Sequence, residues 1–212
     1  MDLRFAATAF VTAFTIMDPI GIIPIVLGVT ATVPPLHRTK IVNQAVLVAG
    51  GILLFMAVVG QALLGYLGIT LPAFTIAGGI LLLLIAIDML FARQTRARVT
   101  AEEEREGSEV PNPAVFPLAV PMLSGPGTIT TILLLVNEAR GNAANLFLVA
   151  LAYIAALFVA WLCMRSATVL SRTIGKTGIH VVTRLLGIIL AALAVQFVLN
   201  GLMATPLFHR GM

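Results

Sequence analysis

Two stretches put reactive side chains next to helix-breaking residues: Asp18-Pro19-Ile20-Gly21-Ile22-Ile23-Pro24 and Ser124-Gly125-Pro126-Gly127-Thr128-Ile129-Thr130. Each lies near the middle of a long apolar run. Asp followed by Pro reads as an N-cap and the first helical residue: the carboxylate accepts free N–H groups, and proline lacks only a donor that was unpaired anyway. The spacing predicts a half-helix starting at Pro19. Ser124-Gly125-Pro126 repeats the grammar with a hydroxyl, and Thr128 and Thr130 add donors on the next turn. Helix starts carry unpaired N–H groups and partial positive charge. Two such starts, with the carbonyl ends of the preceding half-helices, suit a small zwitterion. Its carboxylate would sit at the helix starts and its ammonium at the carbonyl ends or Asp18. Asp18 has two readings, a cap that only stabilises a kink, or a group that also touches substrate or a coupling ion.

The elements that must hold these residues are membrane spans. The chain has 212 residues, is 59% hydrophobic and only 10% charged, and its mean hydropathy is +1.06. Soluble domains are nearer 45–50% apolar and about 25% charged. The composition therefore reads as an all-α, polytopic membrane protein. Apolar runs of about twenty residues mark six spans, at about 3–29, 41–67, 73–91, 114–136, 145–168 and 181–203. The first run is too long for a signal peptide and reads as an uncleaved span. The net charge of +4 is scattered between spans, which argues against nucleic acid as a partner. Lipid cannot satisfy a freed backbone group, so broken helices at membrane depth line a cavity or are buried in protein.

With six crossings, one side receives Arg38, Lys40, Arg93, Arg96, Arg98, Arg105, Arg165, Arg172 and Lys176, and the other only Arg4, Arg140 and Arg210. The positive-inside rule makes the first side cytoplasmic and places both termini outside. Reading the interrupted segments as re-entrant hairpins blurs this bias. A shift of about 107 residues lays Pro19 on Pro126, Leu67-Gly68 on Ile174-Gly175 and Thr70 on Thr177. One more residue of offset lays Gly79 on Gly187 and Asp88 on Gln196. The expected organisation is thus a three-span repeat over 1–92, a cytoplasmic polar loop over 93–113 and a second repeat over 114–212. Thr100 and Glu103 in the loop have capping-box spacing. Three spans per half force opposite orientations, the inverted-repeat design of many transporters, here with broken first and fourth helices.

Other polar residues divide between packing and function. Asp88 reads as an interfacial group able to pair with Arg93, and Arg184 as snorkelling to the interface. Gln196 is deep enough to need a partner or to line the path. Asn43 and Gln44 read as interfacial. Ala77-Gly78-Gly79, Gly187, Trp161 and the single cysteine, Cys163, read as packing residues. An intramembrane protease would need Asp18 and Asp88 as a pair, but Asp18 reads as a cap and Gly-x-Gly-Asp is absent. Ser124 has no intramembrane histidine to activate it. The chain is therefore read as a non-enzyme needing no cofactor. A passive channel and a regulatory membrane protein stay as alternatives to a carrier.

The same stretches resemble the MarC family, described as neutral amino acid transporters and as multiple-antibiotic-resistance-related integral membrane proteins. They are DPIGIIP at Asp18–Pro24, IAGGILLLLIAIDML at Ile76–Leu90, PLAVPMLSGPGTIT at Pro117–Thr130 and TRLLGIILAALAVQFVLNGL at Thr183–Leu202. The resemblance implies a carrier or exporter of small neutral amino acids such as glycine and alanine, in the inner (plasma) membrane. It implies a substrate site at Asp18, Pro19, Gly21, Pro24, Gly125, Pro126, Gly127 and Thr128. Ser124, Thr130 and Gln196 join that set from the residue reading. H⁺ or Na⁺ as coupling ion, and a homo-oligomer, stay open.

Overall fold

A computed structural model describes residues 3–31, 33–91 and 112–205, apart from the side chains of residues 3, 35, 36 and 176. Every regular element among them is helical. The helices are α1 (Leu3–Met17), α2 (Ile23–Val29), α3 (Pro35–Tyr66), α4 (Leu71–Phe91), α5 (Ala114–Leu123), α6 (Pro126–Glu138), α7 (Ala143–Arg165) and α8 (Ala167–Met203). The expected capping box at Thr100 and Glu103, and Arg93 as a partner for the half-buried Asp88, lie outside the described residues.

Among the described residues, four stretches are long and apolar enough to cross a membrane: His37–Tyr66, Leu71–Phe91, Ala143–Arg165 and Thr177–Met203. A fifth forms if α5 and α6, bent by 52° at their junction, are one span. α1 has 15 residues, about 22 Å of helix, against a hydrocarbon core of about 30 Å. The described residues thus hold four to five candidate spans, where the hydropathy of residues 3–29 predicts a further one.

Helix ends follow local chemistry. α3 and α6 begin with Pro35 and Pro126, where proline's missing donor goes unused. The Asn142 side chain caps α7, accepting the N–H groups of Ala144 and Asn145 at 3.0 and 3.2 Å. Gly68 (φ +69°) ends the turn after α3, and Gly175 (φ +70°) bends α8. Both adopt the left-handed conformation that glycine takes at little cost. The bend divides α8 into a short arm continuing from α7 and a long arm from Thr177.

Three apolar clusters hold the bundle. The first joins Ile22, Ile23 and Val26 to Val42, Ala45 and Ala49 of α3, to α5, and to Ala160, Met164 and Ala167. The second joins α1, Leu53 and α6 to Val149, Ala152 and Ala156 of α7. Val-Ala-Ala at 42, 45 and 49 therefore recurs at 149, 152 and 156, the interval that also separates Gly68 from Gly175. The third cluster binds Ile16 to α4 and α8. A side chain on Gly79 would meet the Ala194 carbonyl and Val198; one on Gly187 would meet Met89, the Ala86 carbonyl and Leu90. One on Gly201 would meet Ile76 and the Pro72 carbonyl. Early α4 thus packs on late α8, so the two helices run antiparallel. Glycine allows backbones to approach where lipid supplies no hydrophobic drive, as expected for Gly78, Gly79 and Gly187.

Candidate functional site

The first break is a turn built on Asp18. Asp18 is 2% exposed and left-handed, with φ +46°. Its N–H still completes α1, donating to the Phe14 carbonyl at 3.0 Å. Its carboxylate accepts the Gly21 N–H at 3.0 Å. Ile22 donates to the Asp18 carbonyl and Ile23 to the Ile20 carbonyl, each at 3.2 Å. The capping chemistry expected of Asp18 is present, but the helix start is corrected: α2 begins at Ile23, with Pro24 in its first turn. A left-handed residue turns the chain off the α1 axis, and several residues pass before the helical ladder resumes. Pro19 is buried in the turn, Gly21 is half-buried, and Pro24 faces outward. A side chain on Gly21 would collide with the Asp18 carboxylate.

The second break differs. α5 winds in wide turns, with Phe116 and Val120 extended inside it and cis bonds before Pro117 and Pro121. The Ser124 hydroxyl and the Ser124 N–H both donate to the Ala119 carbonyl, each at 2.9 Å. Ser124 therefore closes α5 and does not cap α6, correcting that expectation. The N-cap of α6 is Gly125 (φ −70°, ψ 173°), and no side chain caps this start. The Thr130 and Thr131 hydroxyls donate to the Pro126 and Gly127 carbonyls at 2.9 Å, so Thr130 serves its own helix. Thr128 is 2% exposed, and its hydroxyl has no hydrogen-bond partner among the described residues.

The α6 start opens on a cavity of about 120 Å³. Gly125, Pro126, Gly127 and Thr128 form its polar edge; Ile16, Leu81, Leu84, Ile85, Pro121 and Met122 form the rest. Leu81 and Leu84 also belong to the outer surface, being 41% and 49% exposed. A somewhat larger apolar cavity, about 150 Å³, takes benzene. This one therefore suits a solute of about six heavy atoms. A side chain on Gly127 would run into Leu82 and Ile16, and one on Gly78 into Thr130, so these glycines set how closely α1 and α4 approach α6.

The structure thus gathers four of the predicted site residues, Gly125 to Thr128, around one cavity. Asp18, Pro19, Gly21, Pro24, Ser124 and Thr130 stand in or beside the two breaks without lining it. Gln196 is exposed on α8 and donates to Asn200 Oδ1 at 2.7 Å. Its partner is a neighbour one turn on, on the outer face of the helix. The apolar walls at Ile16, Leu81, Leu84, Ile85 and Met122 escaped the sequence reading. Trp161 does more than pack: its Nε1–H donates to Asn43 Oδ1 at 2.7 Å, and the Arg165 guanidinium lies 5.2 Å from its ring centroid.

A family model described as "MarC family integral membrane protein" matches residues 3–205. The chain belongs to the MarC family. It is 39% identical to a UPF0056 membrane protein of Methanocaldococcus jannaschii, over 95% of this chain and 98% of that protein. It is 38% identical to one of Aquifex aeolicus, over 92% of this chain and 90% of the other. It is 34% identical to one of Buchnera aphidicola, over 95% and 93% respectively. No solved structure matches. As a MarC protein with four to five apolar spans, the chain is an integral, multi-pass membrane protein whose surroundings are a lipid bilayer.

Proposed function

We propose that this MarC protein is a carrier for small neutral amino acids such as glycine and alanine, binding its substrate near the membrane midplane between the two breaks. The observation that carries the reading is the uncapped start of α6 facing a cavity of about 120 Å³ that opens at the edge of an apolar bundle. Unpaired N–H groups and partial positive charge at that start favour a carboxylate. The volume suits glycine or alanine and not leucine.

We further infer six crossings, with α1 and α2 together making the first and α5 and α6 the fourth, arranged as two inverted halves. Three features support this arrangement. The left-handed glycines 68 and 175 end corresponding elements. The Val-Ala-Ala triads of α3 and α7 keep the same interval. The α4–α8 contacts are reciprocal: Gly79 meets Ala194 and Val198, and Gly187 meets Ala86 and Leu90, the same positions one repeat away. Such reciprocity is what a two-fold axis between antiparallel elements produces. Inverted repeats with a site at their interface are a recurring transporter design. The charge bias then sets the cytoplasmic side in the plasma membrane, with both termini outside.

Counterflow in proteoliposomes tests the function. Unlabelled glycine, alanine, serine or leucine is loaded inside, and labelled alanine is offered outside without an ion gradient. Transient accumulation driven by glycine and alanine, and not by leucine, is expected. Asp18→Ala and Gly127→Leu are expected to abolish it in folded protein. Absence of accumulation with any of the four, in folded and inserted protein, would refute the carrier reading.

A further inference from the structure

The interval of 107 residues that relates Gly68 to Gly175 also lays Asp18 on Gly125 and Gly21 on Thr128. In the first half, the Asp18 carboxylate reaches three residues forward and accepts the Gly21 N–H at 3.0 Å. In the second half the residue in Asp18's place is Gly125, with no side chain to do this, and no side chain caps the helix that follows. A side chain on Gly125 would meet the Pro121 carbonyl, so the α6 start stays bare and faces the cavity that Gly125 to Thr128 border. Thr128 stands on that cavity, 2% exposed, its hydroxyl without a partner among the described residues. Its neighbours Thr130 and Thr131 each satisfy their hydroxyls on the preceding turn.

We propose that the start of α6 and the Thr128 hydroxyl form the carboxylate subsite of the substrate, and that the bound carboxylate serves the free N–H groups of that start as the Asp18 carboxylate serves Gly21 in the first half. This rests on the carrier reading and deepens it, because it fixes which end of the substrate points where. The carboxylate accepts from the Thr128 hydroxyl and from the exposed N–H groups of the first turn of α6. Such charge-assisted bonds are short and about twice as strong as neutral ones. The apolar wall of Ile16, Leu84 and Ile85 then faces the small side chain of the substrate. The first break offers no equivalent subsite, since Asp18 already fills it.

The test is thermal stabilisation of the purified full-length protein by glycine and by glycinamide, which differ only in the carboxylate. Wild type is expected to be stabilised by glycine and not by an equal concentration of glycinamide. Thr128→Val, of the same shape, is expected to weaken glycine binding about ten- to a hundredfold while leaving the ligand-free melting temperature in place. Thr128→Ser is expected to restore most of the affinity. Glycinamide acting as well as glycine, or Thr128→Val binding glycine normally, would overturn the subsite while leaving the carrier intact. No stabilisation by either compound together with absent counterflow would overturn both.

Discussion

Asp18 is the most exposed test of the first break, because its backbone and its side chain make separate demands. It is a non-glycine residue at φ +46°, where an ordinary L-residue costs roughly 1–2 kcal/mol and Asp or Asn somewhat less. Its carboxylate also accepts the Gly21 N–H at 3.0 Å, and a hydrogen bond to a charged group contributes about 1.5–3 kcal/mol. Asp18→Ala loses the bond and keeps an unfavourable backbone, a destabilisation of roughly 3 kcal/mol. Asp18→Gly loses the same bond but relieves the backbone; after glycine's extra freedom in the unfolded chain, it should stand about 1 kcal/mol above Ala. Asp18→Asn keeps an acceptor oxygen and tolerates the left-handed region, so it should be the mildest. The predicted order of stability is Asp, Asn, Gly, Ala. For a chain of this size about 1 kcal/mol moves a melting temperature by roughly 2–4 °C, so the Gly–Ala gap is measurable in detergent, with Trp161 fluorescence as the probe. Alanine melting at or above glycine would refute the left-handed assignment. Asparagine melting as low as alanine would refute the role of the side-chain bond.

The glycines between α4 and α8 give a graded test. Gly79→Ala sets a methyl against the Ala194 carbonyl at 2.8 Å and the Val198 N at 3.0 Å, whereas Gly187→Ala meets the Met89 side chain at 3.0 Å and the Ala86 carbonyl at 3.4 Å. The first should lower the melting temperature more, by an overpacking cost of about 1–3 kcal/mol; equal melting temperatures would contradict the packing. Tyr153 is buried with its hydroxyl unpartnered among the described residues. Tyr153→Phe is therefore expected to leave stability unchanged or raise it, since removing an unsatisfied buried hydroxyl removes a penalty; a loss above about 1 kcal/mol would reveal a partner. Topology follows from single-cysteine labelling in a Cys163→Ala background with a membrane-impermeant maleimide. Cysteines at Thr39 and Thr173 should react only from the cytoplasmic side, and at Gly68 and Arg140 only from outside; Thr39 and Arg140 reacting from one side would remove the six-crossing arrangement.

The breaks were legible because proline and glycine act on the backbone wherever they occur. Asp18-Pro19 and Gly125-Pro126 had to interrupt helices, and both do. What the helix-cap grammar could not supply was the backbone angle at Asp18. A left-handed Asp binds its own N–H partner three residues on, as a cap would, yet pushes the next regular turn to Ile23. Ser124 was misread for a related reason. In the wide turns of α5 the Ser124 N–H bonds the Ala119 carbonyl five residues back, and the hydroxyl turns backwards to share the same acceptor. The cavity walls left no trace because α4 is apolar all round, and a helix of that kind announces no inner face. Leu82 is fully buried while Leu81 and Leu84 are exposed, though all three are leucine. The recurrence of Val-Ala-Ala was present in the sequence, but three common residues count for little until all six are found in the core.

On the carrier reading, the unlike chemistry of the two breaks has a charge rationale. Two bare helix starts facing each other near a midplane would each carry about half a positive charge. In a low-dielectric interior those charges repel and would invite two anions. A zwitterion brings one carboxylate and one ammonium. A site for it needs one start left open and the other neutralised, so that no second anion competes and no net positive field repels the ammonium. Asp18 is buried at the first break with its carboxylate on the Gly21 N–H, and Gly125 leaves the second break without a cap. On the proposed reading the asymmetry is what converts a symmetric scaffold into a site for one small, oriented substrate. A swap of the two residues would reverse that orientation only if Gly125→Asp could be built. It cannot, because a side chain there would strike the Pro121 carbonyl; on the carrier reading, that clash keeps the second start bare while Asp18 fills the first.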